Sequence, residues 1–289
     1  MEIMHFFAAN PEIFLLVTAF LSLFIGSFLN VVIYRLPRMM EQSWSEECRI
    51  YLGLKPHTEI EKLNLYLPFS HCPGCKKVIR PWHNIPVLSY FWLRGHCAYC
   101  NARISIRYPL VEALTAIVSV YVAWKFGVTW QTLAALVFSW ISICLLFIDL
   151  DHHLLPDQLT LLLLWLGLFF SLFNFLTDSH SAIIGAIAGY FIFASIQWIF
   201  GWLTGKTGMG QGDYKFLAAQ GAFLGWKMLP LIILLASFSG IIFALTHMAI
   251  KRNFKSTPLP FGPYLATAGW IALLWGNELM QYYIVEFAS

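Results

Sequence analysis

Two aspartates are marked by what surrounds them. Asp149 lies in Ile148-Asp149-Leu150-Asp151-His152-His153, and Asp213 closes Gly208-Met209-Gly210-Gln211-Gly212-Asp213. Between them run two apolar stretches, Leu154 to Thr177 and Ala182 to Leu203. Two crossings of a bilayer return a chain to the face it left, so both acids are expected at one membrane border. An ionised carboxylate is expensive in hydrocarbon, and one at the end of an apolar segment needs a reason. Two within hydrogen-bond reach cannot both ionise comfortably, so they share a proton. The charged member can take a proton from water while the protonated one polarises a peptide carbonyl. That is aspartyl protease chemistry, and it needs no covalent intermediate. Gly208, Gly210 and Gly212 form a loop without Cβ bulk, open to close approach by another chain.

A second constellation is thiol-based. Cys72-Pro73-Gly74-Cys75 and Cys97-Ala98-Tyr99-Cys100 are two Cys-x-x-Cys pairs separated by residues 76–96. Zinc ribbons build a tetrahedral thiolate site from two such pairs. Four ligands fill the coordination sphere, so the expected ion is a structural Zn2+, with redox dithiols as the other reading. If the loop is cytoplasmic, its reducing surroundings argue against structural disulfides. Cys48 and Cys144 look unpaired, and His71, His83 and His96 read as surface or supporting histidines.

These groups must be carried by membrane helices. The chain has 289 residues, 59% hydrophobic and 11% charged, where soluble domains carry roughly 25% charge. Of its 18 Lys and Arg, most fall between Arg35 and Arg107, which marks that region as a cytoplasmic loop. Glu41, Glu46, Glu47, Glu59 and Glu61 share it, and no dense basic block appears, so nucleic acid is not an expected partner. Met1-Glu2-Ile3-Met4-His5 lacks the basic start of a signal peptide, and the first apolar segment, Ile13 to Tyr34, reads as a retained helix. Gly26, Ser27 and Asn30 put a small, polar stripe on it, with Asn30 expected to face protein or a cavity. Arg35-Leu36-Pro37-Arg38 is expected to end it, with short helices near Glu41 to Leu54.

Further segments lie near Pro109–Phe126, Trp130–Ile148, Leu154–Thr177, Ala182–Leu203 and Pro263–Tyr283. The stretch Phe216 to Ile250 is long for one helix, and Gly225, Lys227 and Pro230 offer a break. Two crossings there return Lys251-Arg252-Asn253-Phe254-Lys255 to the cytoplasm, as the positive-inside rule prefers. The expectation is an all-α polytopic membrane protein with about eight transmembrane helices and both termini outside the cytoplasm. Its expected parts are residues 1–34, a first transmembrane helix; 35–107, a cytoplasmic loop domain with a zinc-ribbon-like module at 71–103; and 108–289, a transmembrane aspartyl protease core. No internal repeat is evident.

Competing motifs fail. Gly205-Lys206-Thr207 resembles the end of a P-loop, but the required earlier glycine is Phe200. The Gly-x-Gly run follows a membrane helix rather than a strand, which excludes a dinucleotide fold. Asp149, Asp151, His152 and His153 are adjacent on a helix, point apart, and make a poor metal site. Asp151 and Asp157 read as supporting groups. Glu112, a carboxylate near the start of a membrane segment, reads as an interfacial partner of Arg107 or a helper of another site. A proton-coupled transporter with Asp149, Asp151 and Asp213 lining an ion path is the alternative reading, but carriers place acids at midplane between repeated halves.

Several motifs occur together in order. They are Gly26-Ser27-Phe28-Leu29-Asn30-Val31-Val32-Ile33-Tyr34-Arg35-Leu36-Pro37, the double Cys-x-x-Cys, and Arg107-Tyr108-Pro109-Leu110-Val111-Glu112. Ile148-Asp149-Leu150-Asp151-His152, Gly210-Gln211-Gly212-Asp213 and Pro260-Phe261-Gly262-Pro263-Tyr264 follow. Over nearly its whole length the chain resembles the bifunctional type IV prepilin peptidases, and its Gly-x-Gly-Asp element is more distantly similar to that of presenilin-type proteases. The resemblance implies that Asp149 and Asp213 are the catalytic pair. It implies prepilin and pseudopilin substrates, cut after a glycine on the cytoplasmic face of the bacterial inner membrane. The new N-terminal residue would then be methylated from S-adenosylmethionine, and Gly95 matches a family glycine tied to that transfer. His83 and Arg94 depart from the family pattern, which often has an acid and a second glycine there.

Overall fold

The structure, a computed structural model, describes residues 2–55, 63–67, 69–206, 208–251 and 259–287. Glu59, Glu61, Thr207 and Arg252-Asn253-Phe254-Lys255, singled out above, lie outside the described residues. Regular structure is all helical. Among the described residues there is no strand, only two isolated antiparallel bridges. The chain divides into two compact units, residues 1–124 and 125–289.

The first unit holds α1 (Glu2–Ala9), α2 (Pro11–Tyr51), a 3-10 turn (Pro81–Asn84), α3 (Leu88–Trp92) and nearly all of α4 (Arg107–Phe126). The expected end of the first helix at Arg35-Leu36-Pro37-Arg38 is not observed, nor are separate short helices near Glu41 to Leu54. Instead α2 runs unbroken through Pro37 to Tyr51. An interior proline loses one ladder hydrogen bond and crowds the turn before it, costing about 3 kcal/mol. Here Leu36 and Pro37 are buried, the Arg38 guanidinium lies 3.5 Å from the Tyr34 ring centroid across the proline, and strong helix formers follow from Met39 to Gln42. Packing and local propensity together offset the loss. Gly26 lets α4 approach closely: a Cβ there would lie 2.8 Å from the Glu112 Cα. Asn30 is buried and donates to the Tyr108 carbonyl at 3.0 Å, so it faces protein, as lipid cost requires.

The second unit contains α5 (Trp130–His152), α6 (Asp157–Ser171), α7 (Ser179–Thr204), α8 (Gln211–Leu224), a 3-10 turn (Trp226–Met228), α9 (Leu229–Lys251) and α10 (Gly262–Phe287). Local chemistry sets the boundaries. Thr129 caps α5 by accepting from the Thr132 N–H, and Asp178 caps α7 through the Ser181 N–H, each satisfying a free donor of a first turn. That bond from Ser181 also holds the Asp178 carboxyl below its usual range. The long apolar stretch breaks at Gly225, φ 83°, where glycine is free of strain. Pro230 falls in the first turn of α9, where its missing N–H is not needed.

Among the described residues five helical stretches are long and apolar enough to cross a membrane: α2, α4, α5, α7 and Trp226–Ile250, which covers nearly all of α9. The chain is an all-α polytopic membrane protein. By contrast α6 has 15 residues, about 22 Å at 1.5 Å per residue, shorter than its apolar stretch because Pro156 sets its start and turns follow Ser171.

The second unit is built around α8. From Asp213 to Phe223 every residue but Lys215 is buried. Glycines make this packing possible. Gly185 of α7 meets Gly221 backbone to backbone, a Cβ on Gly189 would lie 2.7 Å from the Leu217 carbonyl, and one on Gly167 of α6 would lie 2.6 Å from Phe223. Small residues allow such approach where lipid supplies no hydrophobic drive between helices. On the remaining side Gln220 donates to the Leu265 carbonyl of α10 at 2.8 Å. Gly189→Leu is expected to push α7 off α8 and lower the unfolding midpoint in detergent by roughly 5–10 °C. Gly201→Ala, whose added Cβ meets nothing closer than 3.8 Å, should leave the midpoint unchanged in the same assay.

Candidate active site

The structure brings Asp149 and Asp213 together within the second unit. Asp149 lies in the last turn of α5 and Asp213 in the first turn of α8, and both are buried. Their carboxylates are near enough to interact electrostatically. Each is held by a backbone N–H at a helix start. Asp149 Oδ2 accepts from the Gly262 N–H of α10 at 2.8 Å. The Asp213 carboxylate reaches back to the N–H of Gly210, which caps its own helix, as the acid of a capping box does. Free N–H groups and the helix dipole favour negative charge at these ends, which gives two acids in an apolar bundle a polar footing.

Leu155 completes the arrangement. Its side chain lies where a Cβ on Gly212 or on Gly262 would go, at 2.6 Å from the first and 3.0 Å from the second. It is wedged between the segment that carries Asp213 and the segment that binds Asp149. A Cβ on Gly262 would also lie 2.7 Å from Asp149 Oδ2, so that glycine is required by space as well as by its donor. His153 ends α5 in the left-handed conformation, φ 52°, with its N–H on the Asp149 carbonyl at 3.0 Å.

The glycine loop is ordered from α7. Gln197 Oε1 accepts from the N–H groups of Gly208 and Met209 at 3.0 and 2.9 Å. Beyond the loop, Lys215 bonds both oxygens of Asp157 at 2.7 Å, tying the start of α8 to the start of α6. Asp157 is thereby a fastening for the helix that carries Asp213. Gly262, Leu155, Gln197 and Lys215 escaped sequence reading, since each acts through a partner distant in sequence. The Pro260-Phe261-Gly262-Pro263-Tyr264 motif was the available signal for the first of them.

The four cysteines also converge. The Sγ atoms of Cys72, Cys75, Cys97 and Cys100 all lie within 4.8 Å of one another, and those of Cys72 and Cys100 are 3.7 Å apart. A tetrahedral zinc with Zn–S bonds of about 2.3 Å sets its sulfurs about 3.8 Å apart, so the donor set fits. Each pair sits on its own hairpin, and the hairpins match residue for residue at a constant offset. His71 bridges Val78 and His96 bridges Arg103. Cys72 and Cys97 donate to Lys77 and Ala102 at 3.0 and 2.8 Å, and Lys76 and Asn101 donate back at 2.8 and 3.0 Å. Lys76 and Asn101 both have positive φ, 55° and 57°. The expectation of no internal repeat is therefore corrected: a short one is present in backbone geometry, hidden because few side chains match. The N–H groups of Cys75 and Gly74 draw the Cys72 thiol down to about 6. At Cys100 the Ala102 N–H acts in the same direction, but desolvation and the neighbouring thiols outweigh it and hold the group up at about 11.

Gly95 is buried in the first unit with φ 71°. It donates to the Tyr90 carbonyl at 2.9 Å and accepts from Ile104 at 2.7 Å. The Tyr90 hydroxyl oxygen lies 3.0 Å from where a Cβ on Gly95 would stand, so a larger residue there meets both strain and a ring. Glu112 has two partners, the Val87 N–H at 2.7 Å and the Ser27 side chain.

Comparison with known proteins agrees with this geometry. Residues 20–126 match the family model described as the bacterial peptidase A24 N-terminal domain, and residues 136–245 match that of the type IV leader peptidase family. The chain is 49% identical over 289 residues to the prepilin leader peptidase/N-methyltransferase of Pseudomonas aeruginosa, covering 100% of this chain and 99% of that one. It is 50% identical over 277 residues to the protein of the same name from Aeromonas salmonicida, covering 95% of each. With that of Legionella pneumophila it shares 44% over 274 residues, 95% of this chain and 96% of the relative. No solved structure matches. Two buried aspartates meeting at helix ends, a four-cysteine module ahead of them and full-length relatives of one name lead to one conclusion: the chain belongs to the type IV leader peptidase family.

Proposed function

We propose that this chain is an intramembrane aspartyl endopeptidase that removes the leader of type IV prepilins and pseudopilins after a glycine. The same chain then methylates the new N-terminal residue from S-adenosylmethionine. The observation that carries the reading is the meeting of Asp149 and Asp213, each anchored by a helix-start N–H. One ionised and one protonated carboxylate activate a water and polarise the scissile carbonyl. The Gly262 N–H keeps the Asp149 carboxylate turned toward its partner. Gly210 leaves room beside Asp213 for an extended substrate backbone, whereas Gly212, already inside α8, makes room for Leu155. The enzyme works in the bacterial inner membrane with this site toward the cytoplasm, where the basic loop lies, and membrane lipid surrounds its apolar faces.

We place the first crossing within residues 1–34, although α2 itself continues to Tyr51, the loop domain in 35–107 and the protease core in 108–289. Cys72, Cys75, Cys97 and Cys100 would hold Zn2+, which when bound ties the two hairpins of residues 71–103 into one module and takes no part in cleavage. Gly95 belongs to the methyl-transfer region. The proton-coupled carrier has no comparable support, since the acids are fixed at helix ends and not strung along a path.

Asp149→Asn and Asp213→Asn are each expected to lower leader cleavage by about 10²–10⁴-fold while the protein still inserts, measured by mass spectrometry of a purified prepilin. Substantial cleavage by either variant removes that residue from the mechanism. Gly262→Ala, which places a methyl against the Asp149 carboxylate, should cost on the order of a hundredfold in kcat without a matching loss of thermal stability; an unchanged kcat would count against the anchoring role. Cys97→Ser should lower bound zinc in the purified protein, read by elemental analysis, and make residues 71–103 easier to proteolyse. Full zinc retention would argue against the four-cysteine site.

A further inference from the structure

Val87 has a backbone conformation that its side chain opposes. Its φ and ψ are 61° and −51°, a combination rare for any residue with a Cβ and worst for a β-branched one. The Leu88 N–H closes onto the Pro86 carbonyl at 2.6 Å, so Val87 is the centre of a γ-turn of the strained hand. Strain of this kind persists only where the surroundings impose it. The Phe91 N–H holds the Val87 carbonyl at 3.3 Å, and the side chain that holds the Val87 N–H is a carboxylate. Glu112 Oε2 accepts the Val87 N–H at 2.7 Å, at the short end of the range for N–H···O bonds.

Glu112 is itself immobilised. It is 8% exposed, accepts a bond from Ser27, and has Gly26 of α2 pressed against its backbone. The turn it holds leads directly into α3, which has no buried residue; Leu88, Phe91 and Trp92 are exposed by 64%, 70% and 83%. With so little core contact of its own, α3 takes its position from the turn before it. Tyr90 of α3 closes over Gly95, and Gly95 in turn joins the cysteine module through Ile104.

We propose that Glu112 is a positioning residue for methyl transfer, its carboxylate fixing the turn at Val87 and thereby setting Tyr90 over Gly95. This rests on reading Gly95 as part of the methyl-transfer region. This role makes no use of Asp149 or Asp213, so cleavage and methylation should separate.

The test uses the full-length purified protein, a prepilin and S-adenosylmethionine, with cleaved and methylated product weighed by mass spectrometry. Glu112→Ala should retain cleavage, which also reports folding, and lose methylation on the order of a hundredfold. Glu112→Gln should keep most methylation, because its amide oxygen still accepts from Val87 and its NH2 can donate to Ser27. The decisive variant is Val87→Gly in the Glu112→Ala background. Glycine holds a positive φ without help, so it should restore much of the lost methylation, which a merely structural role for Glu112 would not produce. Unchanged methylation in Glu112→Ala, or a loss that Val87→Gly does not relieve, overturns the positioning role alone. Wild-type protein that cleaves but never methylates overturns the methyl-transfer reading, and this proposal with it.

Discussion

Two carboxylates inside an apolar helical unit require a polar surface to rest on, and the only backbone groups free to supply one are the unpaired N–H groups of helix first turns. This requirement organises the second unit. Asp149 reaches α10 and Asp213 turns back on α8, so two helix starts must be brought to the end of α5. That placement needs α8 buried from Asp213 onward, which in turn needs Gly167, Gly185 and Gly189 where α6 and α7 press on it. The glycines in the middle of the helices and the acids at their ends are parts of one design. A side chain added at the first would shift the second.

The loop of the first unit follows a different logic. Residues 63–67 and 69–106 hold little regular structure, and they are organised by point attachments. Arg35 bonds the Asn64 carbonyl at 2.9 Å, Glu112 takes the Val87 N–H, and two matched hairpins set four thiols around a common centre. Polar anchors and a metal-sized cluster of sulfurs do there what apolar burial does in the helices.

What could be read from sequence was what depends on residue type and near spacing. The two acids were found because two apolar crossings separate them, and the cysteines because of their Cys-x-x-Cys spacing. The break near Gly225 was legible from a single glycine and a nearby proline. Pro37 misled because proline acts as a stop only when nothing offsets its missing hydrogen bond, and the offset, burial of Leu36 and Pro37, is tertiary. Leu155 and Gln197 were invisible for a related reason: each matters through distant partners that no periodicity points to, and Gly262 was marked only by its motif. The hairpin repeat went unseen because it resides in backbone bonds, which constrain side chains only at the cysteines and the turn.

The uninterrupted course of α2 has a mechanical consequence. Its 41 residues span about 60 Å, twice the roughly 30 Å of a hydrocarbon core. The outer half is therefore a lever whose fulcrum is the headgroup layer. A lean of about 10° by the inserted half swings the far end by roughly 5 Å, so a small change in bilayer thickness is converted into a displacement the width of a side chain near Tyr51.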